Sequence, residues 1–387
     1  LKKVVNLKKF ESENSFVKIK GEYKKMRGIL IGVLVAIFSI GVPALYRSFG
    51  KPKYLVSEIR LDSSEIEKKY RESVVSEIFG KLNELGQNDQ VNKLKNLAEK
   101  LKENLPRDEN NKLVNEAKSL SSGMEDVANL FDKLLIRYEP NSEKVSYGKK
   151  LFENWCATCH GREGDSLPIT PEGLKTLLGD QIYARDFTGK YHREGKVVFK
   201  FASDYTGEFA PDEEIKRIIV EGLPGTPMPG FPMLEEKELD AILEYMKSLN
   251  PRWKFYEPKK SELPTPPPDL MSDERIERGR KQFEVVCIAC HRNIEKGEEP
   301  IEQPLAWYKF DKKGKKSEEF QVVKARWIGK EPLRQGKPEY IFLTIKKGIA
   351  GSTMTPWGHL GDETIWDLVS YVLYLENKNL NAKKGGE

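Results

Sequence analysis

The chain has 387 residues, 65 Lys and Arg against 60 Asp and Glu, and a hydrophobic fraction of 38%. That length and apolar content suit two or three modest domains rather than one large core. A formal charge of +5 over so long a chain, with no aromatics interleaved along a basic stripe, argues against a nucleic-acid partner.

Residues 1–27 are basic: Lys2, Lys3, Lys8, Lys9, Lys18, Lys20, Lys24, Lys25 and Arg27 stand against Glu11, Glu13 and Glu22. The uncharged run 28–46, Gly28 to Tyr46, follows, and as a helix it would reach roughly 28 Å, about one hydrocarbon core. The positive-inside rule then leaves the start in the cytoplasm and everything after Tyr46 on the periplasmic, extracytoplasmic side of the cytoplasmic membrane. A cleaved signal peptide starting at Met26, with Val42 and Ala44 before the cut, is the competing reading, and it exports the remainder equally.

Residues 57–140 contain no Cys, His or Trp, and their apolar residues recur at helical spacing. Ile66, Tyr70, Val74, Ile78, Leu82 and Leu85 make one stripe, with Asp62 and Glu65 as a capping box and Gly86 as a stop. Asp89 is the expected cap of a second helix, and two shorter ones follow, separated by Ser121-Ser122-Gly123. The segment is expected to close as a small bundle, to lie against another subunit, or to act as a solvated spacer.

All four cysteines fall in Cys156-Ala157-Thr158-Cys159-His160 and Cys287-Ile288-Ala289-Cys290-His291. C-x-x-C-H is a c-type haem attachment pattern: the two thiols add to the porphyrin vinyl groups and the adjoining imidazole is placed to bind iron. The alternatives are zinc-binding or redox turns, but zinc wants four ligands gathered in one place and a redox motif does not require His as the next residue.

The surroundings of the two motifs repeat. Tyr147-Gly148-Lys149-Lys150-Leu151-Phe152-Glu153 precedes the first as Arg278-Gly279-Arg280-Lys281-Gln282-Phe283-Glu284 precedes the second. A Gly followed four residues later by a Phe suits a helix that another helix crosses closely. Further on, Glu213 to Leu249 aligns without a gap on Glu339 to Leu375, so that Gly222 meets Gly348, Met228 meets Met354 and Tyr245 meets Tyr371. Each copy therefore reads as a helix leading into C-x-x-C-H, a variable loop, a short helix, a Met-bearing loop and a final helix.

On these residues the chain resembles class I c-type cytochromes over 145–250 and 275–377. The resemblance implies two tandem all-α cytochrome c domains at 145–250 and 273–377, so that with the N-terminal transmembrane helix and the small helical segment read above, the expected fold class of the chain is all-α. The resemblance also implies two covalently bound haem c groups, held by Cys156 and Cys159 and by Cys287 and Cys290. His160 and His291 become the proximal iron ligands. Met228 in Gly225-Thr226-Pro227-Met228-Pro229 and Met354 in Gly351-Ser352-Thr353-Met354-Thr355-Pro356 become the distal ones. Met233 and Met246 read as loop and core residues, and His192 and His359, each without a counterpart in the other copy, as surface groups or neighbours of the site.

In the same family a Pro after the motif offers its carbonyl to the proximal imidazole, and Pro168 and Pro300 are the candidates. The second copy departs from the first in three ways. Arg292 stands where Gly161 follows the first motif, Asp186-Phe187-Thr188 has no clear match, and Lys309 to Lys316 carries an added basic run. That run reads as a solvated loop or as a surface that steers an acidic partner. Residues 251–272 form a linker containing Glu262-Leu263-Pro264-Thr265-Pro266-Pro267-Pro268, a semi-rigid connector, and 378–387 a polar tail.

A haem with both axial positions filled by side chains takes and gives electrons rather than binding dioxygen or peroxide. The expected function is thus a membrane-anchored dihaem electron carrier, not itself an enzyme. It would relay electrons between membrane respiratory complex subunits and a redox protein donor or acceptor, as part of a haem-copper oxidase or cytochrome bc type complex. The alternatives are a dihaem peroxidase, which needs an asymmetric pair of haems, and the haem subunit of a periplasmic dehydrogenase.

Overall fold

The structure is a computed structural model that describes residues 61–166, 174–175, 181–182, 184–190, 197, 209–257, 262–310, 316–349 and 352–384. The run 28–46 lies outside these residues, as do Pro168 and His192. Among the described residues, no helix is long and apolar enough to cross a membrane.

The haem-free segment folds into α1 (Ser63–Glu84), α2 (Asp89–Lys100), α3 (Arg107–Leu120) and α4 (Glu125–Asp132). Helix α1 begins at the expected capping box: the Asp62 carboxylate accepts from the Glu65 N–H at 2.9 Å, and the Glu65 carboxylate accepts from the Asp62 N–H at 2.8 Å. The cap of α2 is Asn88 rather than Asp89. Asn88 stays extended at φ −149° while its side chain accepts from the Val91 N–H at 2.8 Å, so Asp89 is already helical and its charge sits favourably in the first turn. Val74, Ile78 and Leu82 of α1 sink into a core with Val91, Leu94, Leu97, Val114, Ala117 and Phe131.

A buried ionic cluster joins this bundle. Arg71 is 0% exposed, and its guanidinium donates to Glu67 Oε1 at 3.0 and 3.1 Å, to the Leu101 carbonyl at 3.1 Å and to Asn110 Oδ1 at 2.8 Å. Asn110 in turn donates to the Leu134 carbonyl at 2.8 Å. The bundle is not a free spacer, because it seats on the turn that ends the first repeat, a 3₁₀ helix at Pro251–Phe255. Tyr70 stacks on Phe255 with centroids 5.0 Å apart, Lys254 Nζ donates to Glu67 Oε2 at 2.8 Å, and the Arg137 N–H donates to the Lys254 carbonyl at 2.6 Å.

The two repeats share one plan. The first runs α5 (Ser142–Trp155), α6 (Ala157–His160), α7 (Asp212–Glu221) and α8 (Glu236–Ser248). The second runs α9 (Asp273–Val286), α10 (Ile288–His291), α11 (Pro338–Lys347) and α12 (Asp362–Lys384). First and last helices cross where the Gly and Phe pattern predicts. A Cβ on Gly148 would lie 1.8 Å from the Ala241 carbonyl oxygen, and one on Gly279 would lie 1.9 Å from that of Asp367. One turn on, Phe152 meets Tyr245 edge to face at 5.2 Å, and Phe283 meets Tyr371 likewise at 5.3 Å.

Two features depart from a purely helical expectation. A minimal antiparallel pair, β1 (Leu174–Lys175) and β2 (Gln181–Ile182), lies in the first repeat. In the second, β3 (Glu302–Phe310) and β4 (Lys316–Lys324) pair as a two-stranded ribbon. The sequence of these strands is rich in strand formers, Trp307, Tyr308 and Phe310 in one and Phe320, Val322 and Val323 in the other. Lys309 and Lys316 therefore lie within strands, next to the last residue of β3 and at the first of β4, and residues 311–315 lie outside the described set. Helix α12 also runs on to Lys384, into the stretch expected to be a loose tail, because no Gly or Pro interrupts it before Gly385.

Candidate functional site

Each C-x-x-C-H motif forms the bend at which the first helix of its repeat hands over to a single short turn. Cys156 closes α5 by donating its N–H to the Phe152 carbonyl at 2.8 Å, and the His160 N–H returns to the Cys156 carbonyl at 2.9 Å. The second copy repeats this, Cys287 to Phe283 at 2.9 Å and His291 to Cys287 at 2.9 Å. Two thiols and an imidazole are thereby carried on one helical turn, and none of the four cysteines is in a disulfide.

Burial pushes the Cys156 and Cys287 thiols up to about 12, with the neighbouring cysteine adding to the effect in each case. A redox C-x-x-C pair needs a thiol shifted the other way, so these pairs are not poised for disulfide exchange. Burial also lowers His160 to about 4, against the opposing effect of its backbone hydrogen bond, and lowers His291 in the same direction. Both imidazoles are thus neutral, the form that binds a metal. Among the described residues no group of three or more His, Cys, Asp or Glu gathers as a zinc site would require.

The imidazole orientation is set by a main-chain carbonyl. His160 Nδ1 lies 3.0 Å from the Arg185 carbonyl oxygen, and His291 Nδ1 lies 2.9 Å from that of Arg326. This is the contact expected from Pro168 and Pro300. For His291 the acceptor is Arg326 and not Pro300, while Pro168 lies outside the described residues. The finding also supplies the match that Asp186-Phe187-Thr188 lacked: it follows Arg185 as Trp327-Ile328-Gly329 follows Arg326, and Phe187 and Ile328 are both buried core residues. Phe187 stacks on His160 with centroids 4.7 Å apart.

The Met-bearing loops are built alike. Gly222 and Gly348 leave the preceding helix at φ +73° and +71°, and a Cβ there would meet the Met228 and Met354 carbonyl oxygens at 2.9 and 2.6 Å. The Leu223 and Ile349 N–H groups donate to those same carbonyls, each at 3.1 Å. The Met228 N–H donates to Thr226 Oγ1, and the Met354 N–H to its repeat equivalent, Ser352 Oγ, both at 3.2 Å. By contrast Met246 is buried in the first repeat's core, Met233 is 60% exposed, and His359 is exposed beside Trp357.

The residues also fit a haem on grounds independent of the motif. Trp327 Nε1 is a buried N–H donor with no hydrogen-bond acceptor among the described residues, and the neighbouring Arg326 Nη1 has the Glu331 carboxylate 2.9 Å away. The indole N–H, next in sequence to the residue whose carbonyl holds His291, suits a porphyrin carboxylate as its acceptor, with the Arg326 cation beside it.

One residue of the second site is strained. Arg292, at the position of Gly161, has φ 58° and ψ −176°, a region held almost only by glycine. Arg292→Gly is expected to stabilise the second repeat by about 1 kcal/mol, the strain relieved less the added chain entropy of glycine. Thermal melts would show an upward shift, and an unchanged or lower midpoint would mean that the exposed arginine compensates its backbone.

The family model described as Cytochrome c matches residues 145–250, and the model described as Cytochrome C oxidase, cbb3-type, subunit III matches residues 274–372. No curated protein matches the chain. Among solved structures, a chain of the Kuenenia stuttgartiensis reducing HAO-like protein complex is similar at 23% identity with a TM-score of 0.46, covering 62% of this chain and 99% of that one.

Proposed function

Because the chain carries two class I c-type cytochrome domains in tandem, each with a covalently bound haem c, we propose that it is a membrane-tethered dihaem electron carrier and a subunit of a larger respiratory complex. The haems supply the one-electron chemistry. The polypeptide does the rest: Cys156, Cys159, Cys287 and Cys290 attach them, and the Arg185 and Arg326 carbonyls hold His160 and His291 in a neutral, fixed orientation. Met228 and Met354 would supply each iron's second protein ligand, which would leave electron transfer rather than the binding of small oxidants as its chemistry.

The observation that carries this reading is the identity of the two Met loops, hydrogen bond for hydrogen bond, on the same helical frame. A dihaem peroxidase needs one site to differ, and that symmetry favours the carrier. The match of the second domain to an oxidase subunit favours a haem-copper oxidase as the partner complex, and the run 28–46 would hold both haems at the periplasmic face.

Reduced spectra test the ligation. Two low-spin, six-coordinate haems are expected, and a high-spin haem that turns over peroxide would replace the carrier with the peroxidase. Met354→His should leave the second haem low-spin while lowering its potential; an unchanged redox titration would mean that another residue binds that iron. Purification in detergent should bring integral membrane subunits with the chain, whereas a soluble cofactor-bearing partner would point to a dehydrogenase.

A further inference from the structure

The two haem domains are joined by contacts between their functional loops, not only by the linker. Glu214 on α7 and Tyr340 on α11 are both buried, and the Tyr340 hydroxyl lies 3.2 Å from Glu214 Oε1. Arg217, paired with Glu214 at 2.9 Å, lies over the Tyr340 ring at 4.3 Å, and Lys337 reaches Glu221 at 3.6 Å. The joint extends to the Met228 loop. Gly225 is buried at φ +73°, and a Cβ there would sit 3.2 Å from Arg326 Nη1 and 3.3 Å from the Pro332 carbonyl oxygen.

Arg326 therefore touches both sites. Its carbonyl accepts from His291 Nδ1 at 2.9 Å, while its guanidinium lies against the loop that presents Met228. That guanidinium is mostly buried and sits 2.9 Å from Glu331 Oε1. The buried Arg334 guanidinium, pushed down to about 10 by burial and by Arg326, adds a second cation to the cluster. A fixed charge in such a place acts over a longer range than one in water.

We infer that Arg326 is a positioning residue shared by the two haem sites, whose buried charge raises the reduction potentials of both haems across the domain joint. The inference rests on the dihaem carrier reading above. A positive charge stabilises the reduced form of a nearby haem, so removing it lowers the potential, and it acts on both haems only if both lie close to the same guanidinium.

The test is a spectroelectrochemical titration of the full-length protein with both haems attached, in which Met354→His marks the wave of the second haem. Arg326→Gln keeps the carbonyl that holds His291 but removes the charge. It should weaken reduction of the second haem about tenfold, about 59 mV for a one-electron couple. The first haem should shift the same way by a smaller amount. Arg326→Lys, which keeps the charge, should return the first haem to its native potential. Gly225→Ala, made in the first domain, should displace the guanidinium and move the wave of the second haem. A shift confined to one haem in Arg326→Gln, or equal effects of Gln and Lys, would overturn the shared role. A native protein whose haems are not low-spin would instead count against the ligation scheme, so the two failures are told apart.

Discussion

Gly148→Ala is expected to destabilise the first haem domain by about 3 kcal/mol or more, at or beyond the upper end of ordinary overpacking. The added methyl would stand 1.8 Å from the Ala241 carbonyl oxygen and 2.4 Å from its carbon, and both are main-chain atoms in the middle of α8. No rotamer change relieves such a contact, so α5 and α8 must move apart and uncover Phe152, which is 1% exposed and packs on both Tyr245 and His160. For a domain of this size the midpoint should fall by roughly 12 °C or more. Gly279→Ala should do the same to the second domain, where the methyl would meet Asp367. Gly80 supplies the control. It lies inside α1 with nothing within 4 Å of its would-be Cβ, so Gly80→Ala should stabilise the bundle by about 0.5–1 kcal/mol. Calorimetry of the three variants checks the pattern, and a Gly148→Ala protein that melts with the wild type would mean that this crossing does not close the domain.

The second large effect is expected at Arg71. Removing one partner of a buried ion pair costs about 3–5 kcal/mol, because the other charge is left in a poor solvent. Arg71→Met should fall near the lower end of that range, since Glu67 keeps Lys254 at 2.8 Å. The Leu101 carbonyl and Asn110 also lose a donor, so part of the loss is hydrogen bonding rather than charge. Adding Glu67→Gln should recover some of the stability, which a pure packing defect would not allow. The bundle has its own core, so far-ultraviolet dichroism should register the early loss of helix while the haem absorbance persists to the later transition. A single transition at the native midpoint would show that the cluster contributes nothing net.

Much of this architecture is legible in the sequence because it depends on side chains with strong local rules. The capping box at Asp62 and Glu65, the Gly and Phe pairs at the helix crossings and the gapless repeat carrying Met228 and Met354 each name a residue type that only a few conformations accommodate. The partners of the imidazoles of His160 and His291 are not legible in this way. They are main-chain carbonyls, which every residue has, and they lie 25 residues beyond His160 but 35 beyond His291. The longer spacing in the second copy accommodates the β3–β4 ribbon, and it hides the equivalence of Arg185 and Arg326 from a gapless comparison. Asn88 was obscured for a different reason: beside Asp89 both residues are good caps, and only the backbone angle decides which one stands outside the helix. The joint through Glu214, Tyr340 and Gly225 depends on how two folded domains meet, which no local pattern encodes.

Glu214 and Tyr340 occupy the same position of the repeat, so the joint brings a surface against its own counterpart, as a two-fold dimer does. In a dimer of identical subunits that position would set glutamate against glutamate, and the like charges would repel. Carrying both copies on one polypeptide removes the requirement for sameness. One face can keep the acid, the other can become a phenol that donates to it, and the pair gains a fixed left and right.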